Sequence, residues 1–114
     1  VQIAKEYADD ADTFSKKIYD VIGSGVGIIE SVPAAISIAY YTQDPNECCL
    51  MCANLGGDTD TIGAMATAIC GAFTGYSKIN PEYTELLRVQ NSETDFDEYI
   101  NILKKGRKLA GCGR

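Results

Sequence analysis

Apolar positions recur along the chain at helical rather than strand spacing. Over residues 1 to about 19, Ile3, Tyr7 and Ala11 share one face, and Phe14, Ile18 and Val21 share another. Asp9, Asp10 and Asp12 lie between the two sets and read as a solvated connection between two helices, with Thr13 as the cap of the second. A helix over residues 30 to 41 follows, with Ser31 as its cap, Pro33 in its first turn and an apolar stripe of Val32, Ala35, Ile36 and Ala39. Asp44-Pro45-Asn46 then punctuates the chain before a helix from residue 46 to about 54. The run from 63 to 75 carries large apolar side chains only at Met65, Ile69 and Phe73, an i, i+4, i+8 ridge on an otherwise small helix. Such a helix is built to be closely surrounded by others. Asn80-Pro81-Glu82 opens a helix through Leu86, Leu87 and Val89, and Asn91-Ser92-Glu93-Thr94 forms a loop. Asp95 caps a last amphipathic helix, with Phe96, Tyr99, Ile102 and Leu103 inward and Lys104, Lys105, Arg107 and Lys108 late, where cations complement the helix dipole. Nothing alternates with strand period for any length, so the fold class is all-α.

One stretch departs from this regularity: Asn54-Leu55-Gly56-Gly57-Asp58-Thr59-Asp60-Thr61-Ile62-Gly63. Inside a helix, residues two apart point away from one another, and Asp58 and Asp60 could not share a target. At a helix entrance that constraint lifts. Gly56 and Gly57 permit turn conformations, Asp is a favoured N-cap, and both carboxylates can converge with the Thr61 hydroxyl on one point. The bland alternative is a simple cap. An all-oxygen donor set without Cys or His suits a hard cation such as Mg²⁺, Mn²⁺ or Ca²⁺. A calcium-binding EF-hand loop is excluded, because Ile62 stands where its third ligand belongs and Ile69 where its bidentate Glu belongs.

Upstream, Gly23-Ser24-Gly25-Val26-Gly27 alternates glycine with other residues. The preceding segment is helical, so the dinucleotide fingerprint is not met. Residues alone leave two readings open: a flexible connection, or a loop whose backbone closely approaches a ligand.

Composition narrows the function classes. Sixteen acidic against ten basic residues give the 114-residue chain a net charge of −6. That argues against nucleic-acid backbone or an anionic membrane as the main partner. No apolar run reaches spanning length, and no basic-then-apolar segment opens the chain. There are five cysteines and no histidine. Cys49 and Cys52 are formally a C-x-x-C pair, but no second pair answers them. Cys48 and Cys52, one helical turn apart, suit small core residues, and dense unpaired thiols point to a reducing, cytoplasmic compartment.

Leu55-Gly56-Gly57-Asp58-Thr59-Asp60-Thr61-Ile62, followed by Ala68-Ile69-Cys70-Gly71-Ala72, closely resembles the C-terminal signature of the ADP-ribosylglycohydrolase family, which includes the dinitrogenase reductase-activating glycohydrolases. Gly23-Ser24-Gly25-Val26 and Glu30-Ser31-Val32-Pro33-Ala34-Ala35 resemble the segment that precedes it, so the likeness covers residues 23 to 81. Thr67 departs from the pattern, standing where relatives often carry glycine. The resemblance implies a compact multi-helix domain, of which residues 1–114 are the expected C-terminal portion, with the N-terminal part of the same domain as its partner. It implies hydrolysis of the N- or O-glycosidic bond of ADP-ribose on a protein or small molecule. It also implies a dinuclear Mg²⁺ site, with Mn²⁺ able to substitute, to which this chain supplies Asp58, Asp60 and Thr61. Gly23, Ser24, Gly25 and Val26 are then expected to contact ADP-ribose. The second acidic cluster and the acid/base carboxylate are expected outside this chain, which alone should be inactive. Neither Glu30 nor the Asp9, Asp10 and Asp12 group is assigned to that role. The competing classes are a non-catalytic, crystallin-like member that keeps only the fold, and a hydrolase of another nucleotide-like substrate.

Overall fold

The computed structural model describes residues 2–6 and 10–111, and there the chain is helical, with no strand among the described residues. The elements in order are α1 (Gln2–Glu6), α2 (Ala11–Lys17), a π turn (Ile18–Ile22), α3 (Ile28–Thr42), α4 (Pro45–Ala53), α5 (Thr59–Thr74), a 3₁₀ turn (Tyr76–Lys78), α6 (Pro81–Gln90) and α7 (Phe96–Leu109). No helix among the described residues is long and apolar enough to cross a membrane. The expectations for Tyr7 and Asp9, and for the Ile3 side chain, fall outside the described residues. The chain divides into two compact units, residues 1–80 and residues 81–114.

In the first unit, α5 packs on both α3 and α4, and α3 also carries α1 and the π turn. The core is built largely from small side chains: Ala34, Ala35 and Ala39 of α3, Cys48 and Cys52 of α4, and Ala66 and Cys70 of α5. Small residues at a crossing let helix backbones approach closely, and larger plugs fill the remaining volume: Phe14, Ile18, Ile38 and Ile62, all fully buried. Phe14 also stacks on Tyr41, with ring centroids 4.0 Å apart and planes within 7°. The buried thiols are knitted into this contact. Cys70 Sγ lies 3.5 Å from Thr42 Oγ1, and the Thr67 hydroxyl reaches Cys48 Sγ at 3.9 Å. Thr67 thus fills its place on the packed face of α5. A hydrogen bond with Cys52, then burial, pushes the Cys48 thiol well up, which keeps it protonated.

Several local expectations are corrected. Asp10, not Thr13, caps α2: its carboxylate accepts the Thr13 backbone N–H at 3.0 Å and the Thr13 hydroxyl at 2.5 Å. The π turn then inserts an extra residue's worth of rotation, so Val21 leaves the face shared by Phe14 and Ile18 and is exposed. Helix α3 begins at Ile28 with Gly27 as N-cap, so Ser31 is buried within the helix and Pro33 lies inside it. The ridge of Met65, Ile69 and Phe73 is not the buried face of α5. Ile62, Ala66 and Cys70 are buried, Met65 is half-buried, and Ile69 and Phe73 are exposed beside Ile36 and Tyr40. The smaller stripe wins because only it lets α5 approach α3 and α4.

The second unit comprises α6 and α7. Asp95 caps α7 as expected, accepting the Glu98 N–H at 3.0 Å. Arg88 pairs with Asp97 at 3.3 Å and lies over the Phe96 ring. Tyr99, Ile102 and Leu103, expected inward, are exposed. Neither helix of this unit contains a buried residue.

Candidate metal centre

The chain reaches the candidate site through the end of α4. The Asn54 side chain donates to the Leu50 carbonyl at 2.8 Å, and Leu55 is buried as an anchor. Gly56 and Gly57 then take φ of 88° and 78°, the left-handed region open to glycine without strain. Gly56 lies under the Tyr19 ring. Gly57 is pressed on Ser24 so closely that a Cβ there would overlap the Ser24 carbonyl and hydroxyl. These two residues turn the chain into α5, with Asp58 at the N-cap.

Asp58 behaves unlike the other aspartates that open helices here. Asp10 accepts Thr13 N–H, Asp44 accepts Asn46 N–H and Asp95 accepts Glu98 N–H, each at 3.0 Å. Asp58, with φ −82° and ψ 62°, makes no side-chain cap bond at all. An aspartate that caps contributes about 1 kcal/mol, and Asp58 forgoes it. Its carboxyl lies instead beside Asp60. The Asp58 carboxyl, aided by the Thr61 N–H at 3.0 Å, holds the Asp60 carboxyl below the usual carboxylate range. The non-helical backbone at residue 58 lets two residues that would diverge inside a helix approach each other. Thr61 follows, exposed at the head of α5.

Two neighbouring carboxylates at one helix entrance favour a cation between them. Two carboxylates and a nearby hydroxyl fit a hard divalent cation in donor type. They fall short in number, because no group of three or more His, Cys, Asp or Glu that could hold a metal occurs among the described residues.

The loop of residues 23–27 stands against this site. The Ser24 carbonyl accepts the Asp58 backbone N–H at 2.6 Å, so the two motifs separated in sequence are hydrogen-bonded in space. Ser24 itself is buried and its hydroxyl faces Gly57, whereas Val26 is 84% exposed. The four loop residues singled out by sequence therefore divide: Ser24 is buried as a support, Gly23 and Gly25 are half-buried against the Glu30 side chain, and Val26 faces outward. Sequence reasoning passed over Glu30. Its carboxylate lies where Cβ atoms on Gly23 and Gly25 would be, and two glycines spaced to admit a side chain from the next turn are the signal for it.

A family model for ADP-ribosylglycohydrolases matches residues 1–111. The chain is 50% identical over 102 residues to the uncharacterized protein YegU of Escherichia coli (strain K12), a match covering 89% of this chain and 30% of that protein. It is 32% identical over 101 residues to human ADP-ribosylhydrolase ARH3, covering 79% of this chain and 28% of the relative. It is 30% identical over 91 residues to ADP-ribosylarginine hydrolase Tri1 of Serratia proteamaculans (strain 568), covering 80% of this chain and 25% of the relative. The chain thus spans less than a third of the length of these curated relatives. No solved structure matches it.

Proposed function

The chain belongs to the ADP-ribosylglycohydrolase family, and from that premise we propose that the protein it forms part of hydrolyses the glycosidic bond between ADP-ribose and a modified protein or small molecule. The relatives named as ADP-ribosylhydrolase and ADP-ribosylarginine hydrolase support this substrate class. The observation that carries the reading is the orientation of Asp58: an N-cap carboxylate that declines to cap and turns to Asp60.

In this reading Asp58, Asp60 and Thr61 hold part of a dinuclear Mg²⁺ site, with Mn²⁺ able to replace it. When bound, the ions supply positive charge at the ribose as the anomeric centre becomes oxocarbenium-like. The chain's own residues do the positioning. Gly56 and Gly57 aim the two carboxylates, the Asp58–Ser24 hydrogen bond fixes them relative to the loop, and Gly25 and Val26 border the ligand. Held in this way, the reacting centre is oriented before chemistry begins. The remaining metal ligands and the acid/base carboxylate lie outside residues 1–114, the C-terminal part of the domain in this reading, so these residues alone are inactive. The full-length protein is tested for release of ADP-ribose from ADP-ribosylarginine and ADP-ribosylserine peptides and from ADP-ribose polymer. Release from at least one, lost in Asp60→Ala, is expected. A full-length protein that binds ADP-ribose and releases it from none would be a non-catalytic member, and the reading would fall.

A further inference from the structure

The loop of residues 23–27 is folded around a single side chain. Glu30 stands in the first turn of α3, three residues after the Gly27 N-cap, and is half-buried. A Cβ on Gly23 would overlap one carboxylate oxygen and come within 2.6 Å of Cδ, and a Cβ on Gly25 would overlap the other oxygen. The carboxylate thus fills the space that both glycines leave empty. Gly23 additionally needs its φ of 91°. Between the two glycines sits buried Ser24, whose carbonyl takes the Asp58 N–H at 2.6 Å and whose carbonyl and hydroxyl fill the space over Gly57. One unbroken series of contacts therefore runs from Glu30 through residues 23–25 to the backbone of Asp58.

Resting on the function proposed above, we infer that Glu30 is a positioning residue: its carboxylate shapes the loop of residues 23–25 so that the loop meets ADP-ribose and holds Asp58 in place. Glu30 acts through shape. It occupies a volume that the loop wraps, and its charge sits at the positive end of α3, where it is favoured. Without it, the two glycines are free to collapse or open, and the ligand-facing edge at Gly25 and Val26 loses its definition.

The test is calorimetric binding of free ADP-ribose to the full-length protein, with melting temperature as the check on folding. Glu30→Ala is expected to weaken ADP-ribose binding about tenfold, because a preorganised loop becomes one that must be ordered on binding. Glu30→Gln, which keeps the shape, is expected to stay within about twofold of the parent on the same reasoning. Gly25→Ala supplies an independent variant. Its φ is not in the left-handed region, and its added methyl displaces only the flexible end of Glu30, so it folds while expelling the carboxylate. It should reproduce the Glu30→Ala loss, and the double variant should be no worse than either single one, the signature of two changes acting on one contact. Parental affinity in a folded Glu30→Ala or Gly25→Ala protein overturns the inference, as does a double variant whose losses multiply. Asp58→Ala is assayed in parallel for hydrolysis. Lost hydrolysis there with parental ADP-ribose affinity in Glu30→Ala removes the inference alone, whereas retained hydrolysis in Asp58→Ala removes the proposed function and the inference with it.

Discussion

Gly57→Ala puts a methyl where the Ser24 carbonyl and hydroxyl now lie, at a residue whose φ is 78°. The left-handed conformation alone costs an alanine about 1–2 kcal/mol. The obstacle is backbone rather than the tip of a flexible side chain, so relief requires the loop of residues 23–27 and the entrance of α5 to part. That separation breaks the Asp58–Ser24 hydrogen bond, at a further cost of about 1 kcal/mol. The total is about 2–3 kcal/mol. Gly56 is the matched control. Its φ is 88°, but a Cβ there meets only the edge of the Tyr19 ring at 3.2 Å, which a shift of a few tenths of an ångström relieves. Gly56→Ala therefore carries only the conformational cost of about 1–2 kcal/mol. Urea unfolding of the full-length protein should show Gly57→Ala less stable than Gly56→Ala by about 1 kcal/mol, with Mg²⁺ affinity weakened more in the former. Equal midpoints and equal Mg²⁺ affinities would refute the contact between the two loops and the positioning it provides.

Three further outcomes follow from the same geometry. Asp44→Ala should cost about 1 kcal/mol in metal-free urea unfolding, because it removes a cap bond, while Asp58→Ala should cost less than half of that. Ile62→Ala, at a fully buried site between α5 and its neighbours, should lose about 2–5 kcal/mol by the same assay, and a loss below 1 kcal/mol would place Ile62 outside the core. The Asp10 carboxyl is held below its ordinary value of 3.8, chiefly by the Thr13 hydroxyl and then by the Thr13 N–H. A depressed folded-state pKa means its stabilisation is fully present above that ordinary value and is lost as pH falls through the lower folded value. Asp10→Asn should flatten that part of the acid unfolding curve, and an unchanged curve would refute the Thr13 contact.

The helices were legible in the sequence because their signals are local. Asp95 and the Asp44-Pro45 pair mark helix starts by their own chemistry, and Asn80-Pro81 does the same for α6. The candidate site stands out in the sequence for a related reason: Gly56, Gly57, Asp58, Asp60 and Thr61 are chemically out of place in a packed helix. What the sequence hid depends on distant partners or on one extra residue of backbone. The π turn at Ile18–Ile22 leaves no mark in the residue pattern, yet it decides that Val21 faces outward. Helix α5 carries two stripes, Met65/Ile69/Phe73 and Ile62/Ala66/Cys70, and periodicity reports both. Which is buried depends on how closely α3 and α4 approach, a property of the small residues on three helices together. Glu30 was passed over because its importance lies in the space left by Gly23 and Gly25, and empty space is not a residue.

The central claim, that Asp58 and Asp60 are turned from capping to hold cations for ADP-ribosyl hydrolysis, is tested most directly by Mg²⁺ titration of the full-length protein beside its Asp58→Ala/Asp60→Ala variant. The account predicts that the parent binds Mg²⁺ and that the variant loses Mg²⁺ binding and ADP-ribosyl hydrolysis together while keeping its fold. A parent that does not bind Mg²⁺, or a variant that hydrolyses as the parent does, would contradict it.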